Sequence, residues 1–276
     1  MALLTLDAVI LRSQHYRETS RIVTFYSREQ GLIKGIAKGA RGKRGRFSST
    51  LEPMQRVRVT LSVRRNRELH TVTQADLLHP FARIREDLFR STYAQAVLEL
   101  VGRLMWQEHS SEDAYNLLLN ILQAFEEGLG DPQLLFFVFH IHMAELLGYA
   151  VHLEGCAGCG GSLSEGGTFS FPRGNAFCGR CYPEEGAATS VSGTTVELIR
   201  HLGKTEGVAA AAALSPSREV RRQIGSLLQR HLEYHTETDL ALRALRLAES
   251  LDSEYPSGNN SNPRELPYRH VKGVRK

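Results

Sequence analysis

All four cysteines of this chain fall in two identically spaced pairs, Cys156-Ala-Gly-Cys159 and Cys178-Gly-Arg-Cys181, with 18 residues between them. Glycines surround both pairs, Gly155, Gly158, Gly160 and Gly161 at the first and Gly174 and Gly179 at the second, so backbone amides there can turn toward thiolate sulfur. Paired C-x2-C units at this separation are the spacing of a tetrahedral zinc site, with Cys156, Cys159, Cys178 and Cys181 as the expected ligands of one Zn2+. Four thiolates fill the coordination sphere. The ion is therefore expected to be structural, because no position stays open for a substrate or an activated water. Two disulfides or a redox CxxC would use the same residues differently. No thioredoxin-like βαβ pattern surrounds either pair, and Met1 to Ile10 lacks a basic leader and is broken by Asp7, which points to a reducing cytoplasmic setting.

A second concentration of chemistry is cationic. From Lys34 to Arg46 the chain places six cations (Lys34, Lys38, Arg41, Lys43, Arg44 and Arg46) and four glycines in thirteen residues, a loop able to follow a phosphate backbone. It matches neither G-x-x-x-x-G-K-[ST] nor G-x-G-x-x-G, so nucleotide hydrolysis is not supported. Taken alone it could be a solvated hairpin loop. Beside it, Gln55 to Arg64 alternates with period two: Val57, Val59, Leu61 and Val63 take one face, and Arg56, Arg58, Thr60, Ser62 and Arg64 the other. Agreement between loop and strand favours nucleic acid, with Lys34, Lys38, Arg41, Lys43, Arg44, Arg46, Arg56 and Arg58 as candidate DNA contacts. Tyr16, Phe25, Tyr26 and Phe47 are the nearby aromatics. Phe25 and Tyr26 are adjacent, so at least one belongs in a core; base stacking is expected of none of the four individually, with Phe47, flanked by Arg46 and Ser48, the best candidate.

Eleven histidines raise the question of catalysis. His140 and His142 are two apart on a predicted helix and face different ways, while His231 and His235, four apart, can share a face. No HExxH, deaminase or GxSxG signature accompanies them, so hydrogen-bonded or solvated histidines are expected and no enzyme activity.

These residues need elements to hold them. Leu4 to Ile10, Ile22 to Tyr26, Gly31 to Ile36, Gln55 to Arg64 and Leu69 to Thr73 read as five short strands within residues 1–80, which suits an OB-type barrel. From Pro80 the period becomes helical, and Asp131-Pro132 and Ser215-Pro216 look like helix starts. Leu134 to Leu146 is apolar almost all round and is expected to be a buried central helix. The fold class is thus α+β and multidomain: an OB-fold nucleic-acid-binding domain at 1–80, a helical domain at 81–153 and 188–252, an inserted four-cysteine zinc module at 154–187 without periodicity, and a tail at 253–276 expected to be disordered. Residues 1–80 carry a net charge of +9, residues 81–252 of −8 and residues 253–276 of +3. A basic first block on an acidic remainder suggests polyanion binding by one part and other partners for the rest. The chain of 276 residues, 42% hydrophobic and 23% charged, has no apolar run near the ~20 residues that would cross a membrane.

The stretch from Glu18 through Arg41, followed by Arg46-Phe47 and Leu51-Glu-Pro53, resembles the N-terminal signature of the bacterial RecO recombination mediators. Leu146-Leu-Gly-Tyr149 before the CxxC pairs, and Leu227 through His235, continue the match over nearly the whole chain. The resemblance implies an OB domain, a helical domain and a four-cysteine zinc module. It also implies binding of single- and double-stranded DNA, strand annealing, partnership with RecR and single-stranded-DNA-binding protein, and help in loading RecA during repair in the nucleoid. Lys34, Lys38, Arg41, Lys43 and Arg44 fall on the family's basic loop. Some members lack the cysteines, which would make zinc dispensable for the function. An RNA-binding or ribosome-associated OB and zinc module is the alternative, and a nuclease or zinc hydrolase would need an open metal site or a carboxylate cluster.

Overall fold

The computed structural model describes residues 2–40, 47, 50–63, 67–105, 110–183, 186–204 and 206–254. Five strands, β1 (Ala2–Tyr16), β2 (Ser20–Ser27), β3 (Gly31–Ala37), β4 (Arg56–Val63) and β5 (Leu69–His79), close a barrel in the order β1-β2-β3-β5-β4. Alternation puts Leu6, Ala8, Ile10, Val23, Phe25, Val57, Val59 and Leu61 inside. The closing contact is parallel, with Lys34 opposite Leu69 and Ile36 opposite Thr71. A side chain at Gly35 would lie 2.8 Å from Val72 Cγ2, so glycine there lets β5 approach β3.

One of the aromatic expectations is corrected and another is met. Phe47 is 5% exposed within the barrel core and cannot stack on a base. Phe25 and Tyr26 are both buried, in different cores: Phe25 inside the barrel, Tyr26 against the helices. Tyr16 is half-buried, with the Arg17 guanidinium 5.3 Å from its ring centre.

A 3-10 turn at Arg83–Glu86 leads into α1 (Leu88–Leu104), α2 (Glu112–Glu127) and α3 (Pro132–Leu146). Asp131 caps α3 by accepting from the Gln133 and Leu134 amides at 2.9 and 3.1 Å, and Pro132 opens the helix. Leu134 through Ile141 are all buried, so α3 is the central helix, with Phe136 and Phe139 each contributing roughly 2–3 kcal/mol of burial. Around it stand α4 (Gly193–Leu202), α5 (Gly207–Ala213), α6 (Arg218–Thr236) and α7 (Arg243–Glu254). The Ala209 to Ala213 run is thus helical. The cap of α6 is Ser217, whose hydroxyl accepts from the Val220 amide, while Pro216 lends its carbonyl to Arg221 Nε at 3.1 Å. Residues 154–187 are more regular than their sequence suggests: β6 (Gly167–Ser170) and β7 (Asn175–Phe177) pair with each other, and β8 (Ala188–Val191) adds to β6. Strands of three or four residues carry too few alternations to register as a period.

Barrel and helices share one apolar seam, in which Val9, Leu11 and Tyr26 join the helical core. Polar bonds surround it. Tyr115 donates to Asp7 Oδ1 at 2.5 Å, Arg85 to the Pro53 carbonyl at 2.9 Å, the Ile84 amide to Glu126 at 3.1 Å, and Arg28 pairs with Glu112.

Candidate metal centre and nucleic-acid interface

The four cysteines, far apart in sequence as pairs, converge. Their Sγ atoms all lie within 4.8 Å of one another, and Cys159 Sγ is 3.9 Å from Cys178 Sγ. Ligands ~2.3 Å from a zinc at tetrahedral angles sit about 3.8 Å apart, so this donor set fits one such ion. The thiols are unbridged. Strand pairing brings the two knuckles together: the Ala157 amide donates to the Ala176 carbonyl of β7 at 2.9 Å, and β7 leads directly into Cys178. Each knuckle is closed by its own backbone, Gly160 N to Cys156 O at 2.8 Å and Cys181 N to Cys178 O at 3.0 Å. Gly160, at φ +70°, takes the left-handed turn, and a side chain at Gly158 would lie 2.7 Å from Cys181 Cβ.

The electrostatics suit a cation. The Cys178 amide donates to Cys156 Sγ at 3.2 Å, and with the Cys159 and Gly158 amides it pulls the Cys156 thiol down to about 6. The Arg180 amide lowers Cys178 likewise. Cys181 is pushed up to about 12 by its neighbours Cys178, Cys159 and Cys156, since crowded sulfurs resist a further negative charge. A divalent ion would relieve that repulsion.

Side chains from α4 and α6 fasten this module to the helical body. Arg200 donates to the carbonyls of Leu153 and Glu154, both at 2.6 Å. His231 and His235 each present Nε2 to a carbonyl, Tyr149 O at 2.8 Å and Phe171 O at 2.9 Å. Burial drives the His231 pKa down to about 4, and that of fully buried His140 to about 3. The shared face of His231 and His235 therefore serves packing, and among the described residues only the cysteines form a metal-ligating group.

On the barrel the cationic candidates separate. Lys34 lies on the outward face of β3, in a cross-strand row that runs Arg12 (β1), Thr24 (β2), Lys34 (β3) and Leu69 (β5). Lys38 and Arg67 flank an open groove of about 450 Å³ at the end of β3. Arg41, Lys43, Arg44 and Arg46 lie outside the described residues. Arg56 and Arg58 belong to β4, which β5 separates from β3. Arg56 is clamped to Asp7 by two bonds, Nε to Oδ1 at 2.9 Å and Nη2 to Oδ2 at 2.6 Å. Arg58 is exposed between Asp7 and Asp76 in the ladder. Burial would raise the Asp7 carboxyl, but the hydrogen bonds from Arg56 and Tyr115 outweigh it and hold Asp7 below its ordinary value.

Arg12 was not among the candidates, for a specific reason. Leu4, Leu6, Ala8 and Ile10 alternate inward, so parity places residue 12 inside; a bulge between Ile10 and Arg12 inserts Leu11 and turns Arg12 outward.

The helical body has its own cationic groove. A cavity of about 650 Å³ between α1, α3, α6 and α7 has Phe136, Phe137, Leu240 and Leu242 as walls and Arg218, Arg222 and Arg230 at its edge.

The family described as Recombination protein O N terminal matches residues 1–81, and that described as Recombination protein O C terminal matches residues 85–244. Among curated relatives, a DNA repair protein RecO from Pelotomaculum thermopropionicum is 36% identical over 240 residues, covering 87% of this chain and 92% of the relative. Those of Symbiobacterium thermophilum and Frankia casuarinae are 30% and 35% identical, covering 92% and 87% of this chain and 98% and 95% of the relatives.

Proposed function

The chain belongs to the RecO family of DNA repair proteins, and from that premise we propose that it is a non-enzymatic recombination mediator acting in the nucleoid, which binds single- and double-stranded DNA, anneals complementary strands and, with RecR, helps load RecA onto coated single strands. The observation that carries this reading is the row Arg12–Thr24–Lys34 on the outward face of the barrel, continued by Lys38 toward the basic segment 41–46. An OB barrel binds oligonucleotides on this face. Ammonium and guanidinium groups there would contact phosphates and leave base edges unread, as annealing of arbitrary sequences requires. Arg56 and Arg58, on the neighbouring strand β4 and tied to or flanked by acids, contribute less.

A Zn2+ held by Cys156, Cys159, Cys178 and Cys181 would supply folding energy to the module and no reacting position. The cationic, apolar-walled groove of the helical body suits an acidic peptide with apolar side chains, which supports a protein partner such as single-stranded-DNA-binding protein on that domain. Transmembrane placement finds no support: no helix among the described residues is long and apolar enough to cross a membrane.

The test is strand annealing of complementary oligonucleotides, bare and coated with single-stranded-DNA-binding protein, with and without RecR. Faster annealing of coated strands by the chain is expected; no acceleration on either substrate would overturn the reading. Tighter binding to RNA than to DNA of the same sequence would favour the RNA-module alternative.

A further inference from the structure

A second groove on the helical body carries the opposite charge. It lies between α2 and α3, is closed at one end by the start of α5, and encloses about 400 Å³. Leu117 and Ile121 of α2 meet Val138 and Leu146 of α3 on its floor, all at four-residue multiples that place them on facing stripes. Leu146 is 42% exposed despite this setting. Asp113 and Glu145 stand at the edge with the amides of Asn116 and Asn120, and among the described residues no lysine or arginine lines it. His142 is turned to Glu145 at 3.5 Å, and the nearby Arg28 is already taken by Glu112.

The chain carries the matching sequence. Residues 264–276 hold Arg264, Arg269, Lys272, Arg275 and Lys276 against a single acid, Glu265, and intersperse Leu266, Tyr268, Val271 and Val274. Reach is sufficient. The helix α7 ends at Glu254 and packs on α1, which itself contacts α2 and α3. At helix spacings of roughly 8–10 Å the groove is about 20 Å from α7, whereas the nine residues between Glu254 and Arg264 let their Cα atoms stand up to about 33 Å apart.

We propose that residues 264–276 dock in the groove between α2 and α3, with Tyr268 and Val271 against its apolar floor and the basic side chains against Asp113 and Glu145. Docking neutralises a basic arm that would otherwise add to the DNA-binding charge of the barrel. Release of the arm frees both it and an acidic, apolar groove.

The test uses the full chain with photoreactive benzoylphenylalanine at position 268, irradiated at several concentrations and mapped by mass spectrometry. Crosslinks within one chain to residues 113–121 and 138–146, independent of dilution and reduced at least about fivefold in Asp113→Lys/Glu145→Lys, are expected. Asp113 stands in the first turn of α2, where a lysine opposes the helix dipole, so the experiment is repeated with the exposed pair Asn116→Lys/Asn120→Lys, which lies beyond that turn and is expected to reduce the crosslinks likewise. Crosslinks between chains, crosslinks to another surface, no crosslink, or crosslinks indifferent to charge reversal would each overturn the proposal.

Discussion

Tyr115, on the second helix, donates a 2.5 Å hydrogen bond to Asp7 of the first strand, joining the helical body to the barrel across 108 residues of sequence. The same carboxylate holds Arg56, so one acid organises both a strand pair and the seam between the two parts. Burial raises the Tyr26 hydroxyl to about 12 beside this point, and desolvation with the Asp7 charge raises Tyr115 further. These are structural phenols, kept protonated.

Tyr115→Phe removes a hydrogen bond to a charged group and should lower stability by about 1–2 kcal/mol. Urea unfolding would read it as a lower midpoint with an unchanged slope. Asp7→Ala should cost more, because Arg56 is left partly buried without its partner. Neither change touches the Arg12–Thr24–Lys34 row proposed to bind DNA, so single-strand affinity should stay within about twofold.

If the barrel face and its loop contact about five phosphates, log K for single strands should fall against log salt with a slope of roughly −3.5. Lys34→Gln should flatten that slope by about 0.7, and the triple change Lys38→Glu/Arg41→Glu/Lys43→Glu should weaken binding with little loss of fold. A flat salt response in the parent would remove the electrostatic basis of binding.

If the four thiolates hold a zinc ion as proposed, Cys156→Ser or Cys178→Ser should lower the zinc content counted by elemental analysis and raise amide exchange over residues 154–187. The barrel should persist on its own core, whereas the helical body shares its apolar cluster with Cys156, Phe169, Phe171 and Phe177 of the module and should lose stability. Zinc retained at one ion per chain in either variant would contradict a four-thiolate site.

His140 and His231 bind protons more weakly in the folded protein than in the unfolded chain, about 3 and 4 against 6.5. The unfolded state therefore takes up the extra protons, and stability, undiminished above pH 6.5, should fall as the pH drops from there toward 4. His140→Leu should reduce the loss in denaturant midpoint between pH 7.5 and 5.5, relative to the parent. An identical loss in both would show that the buried imidazoles are not the cause.

Much of this was legible in residue order because it is local. The alternation of Val57, Val59 and Leu61, the Asp131-Pro132 start and the C-x2-C spacings each depend on near neighbours and reappear in the structure. What escaped depends on distant ones. Phe47 sits between residues with polar side chains, yet tertiary packing buries it. The partner of Arg56 is 49 residues away, so its alternation with Val57 says only that it faces outward, not that Asp7 awaits it there. Arg12 is turned by a single bulge that shifts register without any local marker.

The most direct measurement compares single-strand DNA affinity in two double variants, Arg12→Glu/Lys34→Glu on the row across β1 and β3 and Arg56→Gln/Arg58→Gln on β4. The first should lose about tenfold or more at low salt and the second less than about threefold, since only the first reverses charge on the proposed phosphate path. An unaffected first variant, or a second that loses as much as the first, would contradict the assignment of DNA binding to this face of the barrel.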